Sequence, residues 1–195
     1  MELLLVRHAS TDSKEKGLIL GHIDEGLNEN GRQEAEKLAL RLKKQKIDAI
    51  YSSDLKRAKQ TAEIINKYHH MKIKTSKKLR ELDFGSFSGK PKKSLQENFR
   101  NNDFNVKKHG GIESAIDVRH RASNFLEGVI RKNKNKTVLV ISHGITINEI
   151  FLYLTKSPDS EWKKFRHDKT GLSILEINPG KRVKIKFINC TKHLG

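Results

Sequence analysis

The sequence is poor in the residues that staple or break a fold. Cys190 is its single cysteine, which excludes an internal disulfide and a cysteine-built zinc cluster; a reducing cytoplasm is the expected setting. It has three prolines and one tryptophan among 195 residues, and no Pro-rich or low-complexity stretch that would read as a linker. No apolar run approaches the ~20 residues that a membrane-spanning helix needs. The opening run Met1-Glu2-Leu3-Leu4-Leu5-Val6 reaches Arg7 without a basic leader, so it reads as a buried first strand rather than a signal peptide.

Acidic side chains are also in short supply. Asp and Glu number 23 against 40 Lys and Arg, for a formal charge of +17. Such an excess can attract a polyanion or steer phosphorylated substrates. It can equally be a solvated surface written in lysine. Lysines outnumber arginines 29 to 11 and are scattered, with no row of aromatics between them on which single-stranded bases could stack. The solvated surface is favoured over a nucleic-acid face.

What is present reads as strands alternating with helices, with 35% apolar and 32% charged residues, enough for one core. Strands are expected at Leu3–Val6, Ile47–Tyr51, around Ile73, at Thr137–Ile141, Leu172–Ile177 and Val183–Ile188. The last two are joined by the turn Asn178-Pro179-Gly180. Ala9 to Leu27 reads as a long polar loop. A helix is expected from an Asn28 N-cap with Ala35, Leu38, Ala39 and Leu42 inward. A second carries Leu55, Ala58, Ala62 and Ile65, and Pro91 suits the first turn of a small helix. A long helix is expected over 113–132, and another after His143 with Ile147, Ile150, Phe151 and Leu154. The pattern predicts one α/β domain over residues 1–195. Its architecture would be a three-layer αβα sandwich with a mostly parallel central sheet and an antiparallel edge.

In open parallel sheets ligands bind beyond the carboxyl ends of strands. Two strands here end in histidine, Val6-Arg7-His8 and Ile141-Ser142-His143, each followed by a small residue, Ala9 or Gly144. A solitary histidine at a strand end is more often a satisfied polar group; two at equivalent exits, one preceded by arginine, favour a site. Taken singly, Arg57 reads as an exposed helix arginine and Glu81 as a loop charge paired with Arg80 or a lysine. His69-His70 has no acidic or thiol neighbours to complete a metal set. His22, His109, His120 and His167 read as surface or supporting residues.

Taken in order, the segments resemble the histidine phosphatase (phosphoglycerate-mutase-like) superfamily. Arg7-His8-Ala9-Ser10-Thr11 is similar to its opening signature, and Ser52 to Ala62 to the segment whose arginine binds phosphate. Leu79 to Gly89 resembles the proton-donor segment, Gly110 to Ser114 the turn before the long helix, and Ile141-Ser142-His143-Gly144 the second-histidine motif. The resemblance implies His8 as nucleophile, Glu81 as general acid and base, and Arg7, Arg57 and His143 around the phosphate. Ser10, Thr11, Lys14, Gly21 and Gly144 are further candidate substrate contacts. It implies no cofactor and no metal, a small phosphorylated substrate, and a monomer or homodimer.

Departures from the family pattern are Ala9 for glycine, Lys14 and Lys169 near common asparagines, and Leu20 where glutamine often stands. Lys14 and Lys169 would add positive field and favour a more anionic substrate. Asn189 to Leu194, with His193, resembles the C-terminal segment of phosphatase-type members, with Cys190 where Asp is common. The short stretch between Gly89 and Gly110, holding Arg100, Phe99 and Phe104, favours a phosphatase over a phosphoglycerate mutase. A catalytically idle basic nucleic-acid-binding module is the alternative of another class.

Overall fold

The computed structural model describes residues 1–98, 111–178, 180 and 182–195, with the side chains of Lys14 and residues 96–98 outside the description. The expected turn at Pro179, the turn residue Gly110, His109, and the Arg100, Phe99 and Phe104 stretch therefore lie outside the described residues, as does the side chain of Lys14.

Strand β1 (Glu2–Arg7) is apolar on both faces because it lies mid-sheet, with Leu3, Leu4, Leu5 and Val6 fully buried. Burial of each such side chain stabilises by about 1.5–3 kcal/mol. Among the described residues, β1 joins β2 (Ala49–Ser53), β3 (Ile73–Ser76), β4 (Thr137–Ser142), β5 (Leu172–Ile177) and β6 (Val183–Cys190) in one sheet ordered β3-β2-β4-β1-β5-β6. The first four positions are parallel; β5 and β6 are antiparallel. The expected antiparallel edge is thus a pair of strands, and β5 is interior to it.

Alternate residues of β1 serve opposite layers. Leu4 and Val6 pack with Ala35, Leu38, Ala58, Ala62 and Ile65, which belong to α2 (Glu29–Leu42) and α3 (Lys56–Asn66). Leu3 and Leu5 pack with Ala122, Leu126, Ile147 and Phe151, from α5 (Ala115–Lys132) and α6 (Gly144–Thr155). The period of two along a strand turns one run of residues into the shared wall of two cores. A third cluster, with Ile19, Leu82, Phe84, Phe87 and Leu95, covers neither sheet face.

Helix starts follow their caps. Asn28 accepts from the Gly31 amide at 2.8 Å, and Ser114 from the Asp117 amide at 3.1 Å, so α5 begins two residues later than expected. The expected polar loop from Ala9 contains one short helix, α1 (Asp12–Glu15), and a bridge from Leu18 to Pro91. Pro91 lies two residues before α4 (Lys93–Asn98), and its carbonyl accepts from the Ser94 amide. Strand β2 runs through Ser52 and Ser53 rather than ending at Tyr51. Both serines are fully buried, and Ser52 Oγ donates to the Ser53 carbonyl at 2.8 Å. No helix of the described residues is long and apolar enough to cross a membrane.

Candidate active site

The register of β1 against β4 creates the site. Val6 pairs with Ile141 and Arg7 with Ser142, so the next residues, His8 and His143, leave the sheet side by side. The His8 amide donates to the Ser142 carbonyl at 2.9 Å. The two rings stand with centroids 5.0 Å apart.

His8 is 4% exposed, and its Nδ1 lies 2.7 Å from the Ala9 carbonyl. A carbonyl only accepts, so Nδ1 carries the proton and Nε2 keeps its lone pair. Burial first, then the charges of Lys169 and Arg57, hold His8 well below the usual imidazole range. Burial first, then the charges of Arg57 and Arg7, do likewise for His143. Each is a neutral ring at physiological pH. Ala9, where the family pattern has glycine, does not need glycine's conformational freedom: its φ is not positive. Its amide donates to Thr61 Oγ1 at 3.1 Å.

Arg57, the second residue of α3, is 1% exposed, so it is no surface arginine. Its Nη1 donates to the Ile23 carbonyl at 2.7 Å and its Nη2 to the Gly21 carbonyl at 2.8 Å. Gly21 holds φ +50, and a Cβ there would lie 3.0 Å from Ser88 Oγ and 3.1 Å from the Phe84 amide nitrogen. Burial lowers the Arg57 guanidinium to about 10, which leaves it charged near neutrality. Arg7 donates through Nη1 to the His167 carbonyl. Gly144 lets the guanidinium lie close, since a Cβ there would be 3.4 Å from Arg7 Cζ. Arg7 Nε, Arg57 Nε and both ring nitrogens of His143 are buried without a hydrogen-bond partner among the described residues. Each unmet buried donor costs about 1–3 kcal/mol. The neutral His143 ring has one N–H, so three such donors stand together, and they match an anion with several acceptor oxygens.

Glu81 caps α6 from outside. His143 holds the N-cap position with no side-chain cap, so the first-turn amides are left for another acceptor. Glu81 Oε1 accepts from Leu82, Ile145 and Thr146 amides at 3.1, 3.2 and 3.3 Å, whereas Oε2 has one contact at 3.4 Å, with Ile145. Arg80 is not its partner; that side chain pairs bidentately with Asp54 at 2.8 and 2.7 Å.

A cavity of about 280 Å³ is lined by Arg7, His8, Arg57, Glu81, Gly21 and Gly144, with Ile19, Leu20, Phe84, Leu95 and Ile145 as apolar wall. Lys92, Asn148, Trp162, Arg166, His167 and Asp168 complete it. Ser10 and Thr11 do not line it. The Ser10 amide and hydroxyl both donate to Glu34, at 2.8 and 2.9 Å, and Thr11 is fully buried. The Ser10 hydroxyl thus donates to α2 rather than into the cavity.

His167, read from sequence as a surface or supporting residue, is 3% exposed and forms cavity wall. Its ring meets the Phe165 carbonyl at 2.8 Å and Ser173 Oγ at 2.6 Å, and burial lowers it to about 4. His22 joins the Glu81 carbonyl at 2.8 Å. Lys169 is half-buried and its charge reaches His8. His193 lies outside the cavity, between Arg41 at 3.3 Å and Thr170 at 3.0 Å. His69 and His70 follow the end of α3, as expected of a helix terminus.

Phosphoserine phosphatase 1 of Hydrogenobacter thermophilus is 32% identical over all of this chain and 95% of its own length. Phosphoglycerate mutase-like protein 4 of Arabidopsis thaliana is 32% identical over 99% of this chain and 86% of its own. The crystal structure of phosphoserine phosphatase in complex with 3-phosphoglyceric acid from Entamoeba histolytica superposes with a TM-score of 0.86 at 27% identity, covering 99% of this chain and 98% of that one. The family model of the histidine phosphatase superfamily (branch 1) matches residues 3–191. By that match and those relatives, this chain belongs to the histidine phosphatase superfamily.

Proposed function

We propose that the protein is a metal-independent phosphomonoesterase acting on small phosphorylated metabolites through a phosphohistidine on His8. The observation that carries this reading is the meeting of His8 with two guanidinium groups and Glu81 at one cavity, while His143, fully buried and not itself part of the cavity wall, stands beside His8 through the strand register.

In the first step His8 Nε2 attacks phosphorus, the N–P bond forms and the P–O ester bond breaks. Arg7, Arg57 and His143 hold the non-bridging oxygens as charge shifts onto them. Two fixed guanidinium groups supply the charge that a metal supplies in other phosphatases. The leaving alkoxide takes a proton from Glu81, whose Oε2 is the less engaged oxygen. In the second step Glu81 takes a proton from water, the water oxygen attacks phosphorus, the N–P bond breaks, and inorganic phosphate leaves.

The outer wall carries Lys92, Arg166 and Asp168, charges of both signs suited to a leaving group that is itself charged. Relatives named phosphoserine phosphatases support a phosphorylated amino or hydroxy acid. A relative named phosphoglycerate mutase-like keeps transfer as the second reading.

The test is a panel including phosphoserine, 3-phosphoglycerate and p-nitrophenyl phosphate, run on wild type and His8→Ala with and without chelator. Hydrolysis that is chelator-resistant and lost in His8→Ala is expected. Turnover surviving His8→Ala would refute the nucleophile. Interconversion of 3- and 2-phosphoglycerate without phosphate release would replace hydrolase by mutase.

A further inference from the structure

The segment bearing Glu81 is held by its main chain to an unusual degree. The carbonyl of Lys78 accepts from Arg121 Nη1 at 2.8 Å, and that of Leu79 from Ser142 Oγ at 2.8 Å. The Arg80 carbonyl accepts from Arg121 Nη1 and Thr146 Oγ1, both at 2.7 Å, and the Glu81 carbonyl from Arg121 Nη2 at 2.9 Å and His22 Nε2 at 2.8 Å. Four successive carbonyls are thus tied, three of them by one guanidinium. That guanidinium is itself fixed by Glu113, which accepts from Nε at 2.6 Å and Nη2 at 2.9 Å. Glu113 Oε2 also accepts from the Asp83 amide at 3.1 Å, on the far side of Glu81.

Arg121 does not line the cavity, so it has no direct contact to offer a substrate there. Its position in α5 puts a planar, five-donor fork under a loop whose carbonyls would otherwise point in different directions. With the main chain gripped on that side, the Glu81 carboxylate is left to reach the first amides of α6 on the other. A lysine keeps the charge but puts its donors on one atom of a flexible stem, and cannot span three carbonyls and a carboxylate at once.

We infer that Arg121, anchored by Glu113, is a positioning residue for the proton donor: it sets where Glu81 stands relative to the leaving oxygen. The inference rests on the reading of Glu81 as general acid. It distinguishes Arg121 from a plain structural strut, whose loss would slow every substrate alike.

The experiment follows formation of the alkali-stable phosphoenzyme by rapid quench, from p-nitrophenyl phosphate and from benzyl phosphate. Nitrophenolate leaves with little help from an acid, whereas the benzyl alkoxide must be protonated. In Arg121→Lys, phosphorylation by benzyl phosphate is expected to fall ~10–100-fold and that by p-nitrophenyl phosphate by less than about 3-fold. Inhibition by inorganic phosphate should stay at the wild-type value. Equal slowing on both esters, or no slowing, overturns the inference. Should Arg121→Lys lose its cooperative melt, Glu113→Gln serves instead: it keeps the size of the anchor but weakens its hold. There a benzyl-selective loss supports the inference and an equal loss overturns it. Glu81→Gln separates the two layers. If it does not discriminate between the esters, the proton-donor reading itself fails; if it does and Arg121→Lys does not, only the role of Arg121 falls.

Discussion

The imidazoles of His8 and His143 lie 5.0 Å apart at 55° to one another, each just past the end of one of two neighbouring parallel strands, and burial first, then nearby positive charge, keeps both unprotonated. A nucleophile needs that neutrality, and it has a consequence for stability. In the unfolded chain these histidines, and His167, titrate near 6.5; in the fold His167 is lowered to about 4 and the other two lie well below their usual range.

Between those values and pH 6.5 the unfolded chain binds more protons, so stability is complete above about 6.5 and is lost on acidification. Each such histidine costs about 1.4 kcal/mol at one pH unit below its unfolded value. Glu149, raised by burial, works the other way as pH falls. Urea unfolding is expected to give a stability about 2–4 kcal/mol lower at pH 5.5 than at 7.5. Ring ¹⁵N resonances should show His8 neutral and protonated on Nδ1 at pH 5.5. A flat profile, or a charged His8 ring at that pH, would contradict the burial argument.

Arg57 ties the loop through the Gly21 and Ile23 carbonyls and keeps Nε unpaired among the described residues, which the proposed reading gives to the anion. Arg57→Lys is expected to lower kcat/KM for p-nitrophenyl phosphate ~10²–10³-fold, the scale for losing one placed donor. It should also cost about 1–3 kcal/mol of stability for the freed carbonyls. Steady-state kinetics and thermal melts check both; wild-type kcat/KM would remove Arg57 from the site.

Gly31 and Gly128 offer a contrast within helices. A Cβ at Gly31 would stand 2.1 Å from the Ser10 carbonyl oxygen, in the loop that follows His8, while one at Gly128 meets nothing within 4 Å. Gly31→Ala is expected to destabilise by about 2 kcal/mol or more and to depress activity by shifting that loop. Gly128→Ala should stabilise by about 0.5–1 kcal/mol. Chemical denaturation of the two variants reads both effects, and a harmless Gly31→Ala would show that the helix and loop are free to separate.

Much of the site could be read before folding. An apolar run ending in histidine is legible because burial on both faces forces it mid-sheet, so its next residue must emerge at the sheet edge. Arg57 was legible only by its resemblance to a known signature; its 1% exposure has no local sign, since a helix arginine looks alike in either environment. Nearness of Ser10 to His8 in sequence says nothing of which way its hydroxyl turns, and here it donates to Glu34. Arg121, His167 and His22 carried no signal at all. Their partners include backbone carbonyls 40, 2 and 59 residues away, and a carbonyl leaves no mark on residue type.

The order of residues alone determined the alternation of strand and helix, the cap at Asn28, and the chemical inventory of two imidazoles, two guanidiniums and a carboxylate. These depend on periodicity and side-chain type, which are local properties. Tertiary structure decided the register that sets His8 beside His143, the burial that keeps both rings neutral, and the capture of Glu81 by a helix start 64 residues away. Those depend on what desolvates a group and which donors face it, and only the packed chain defines either.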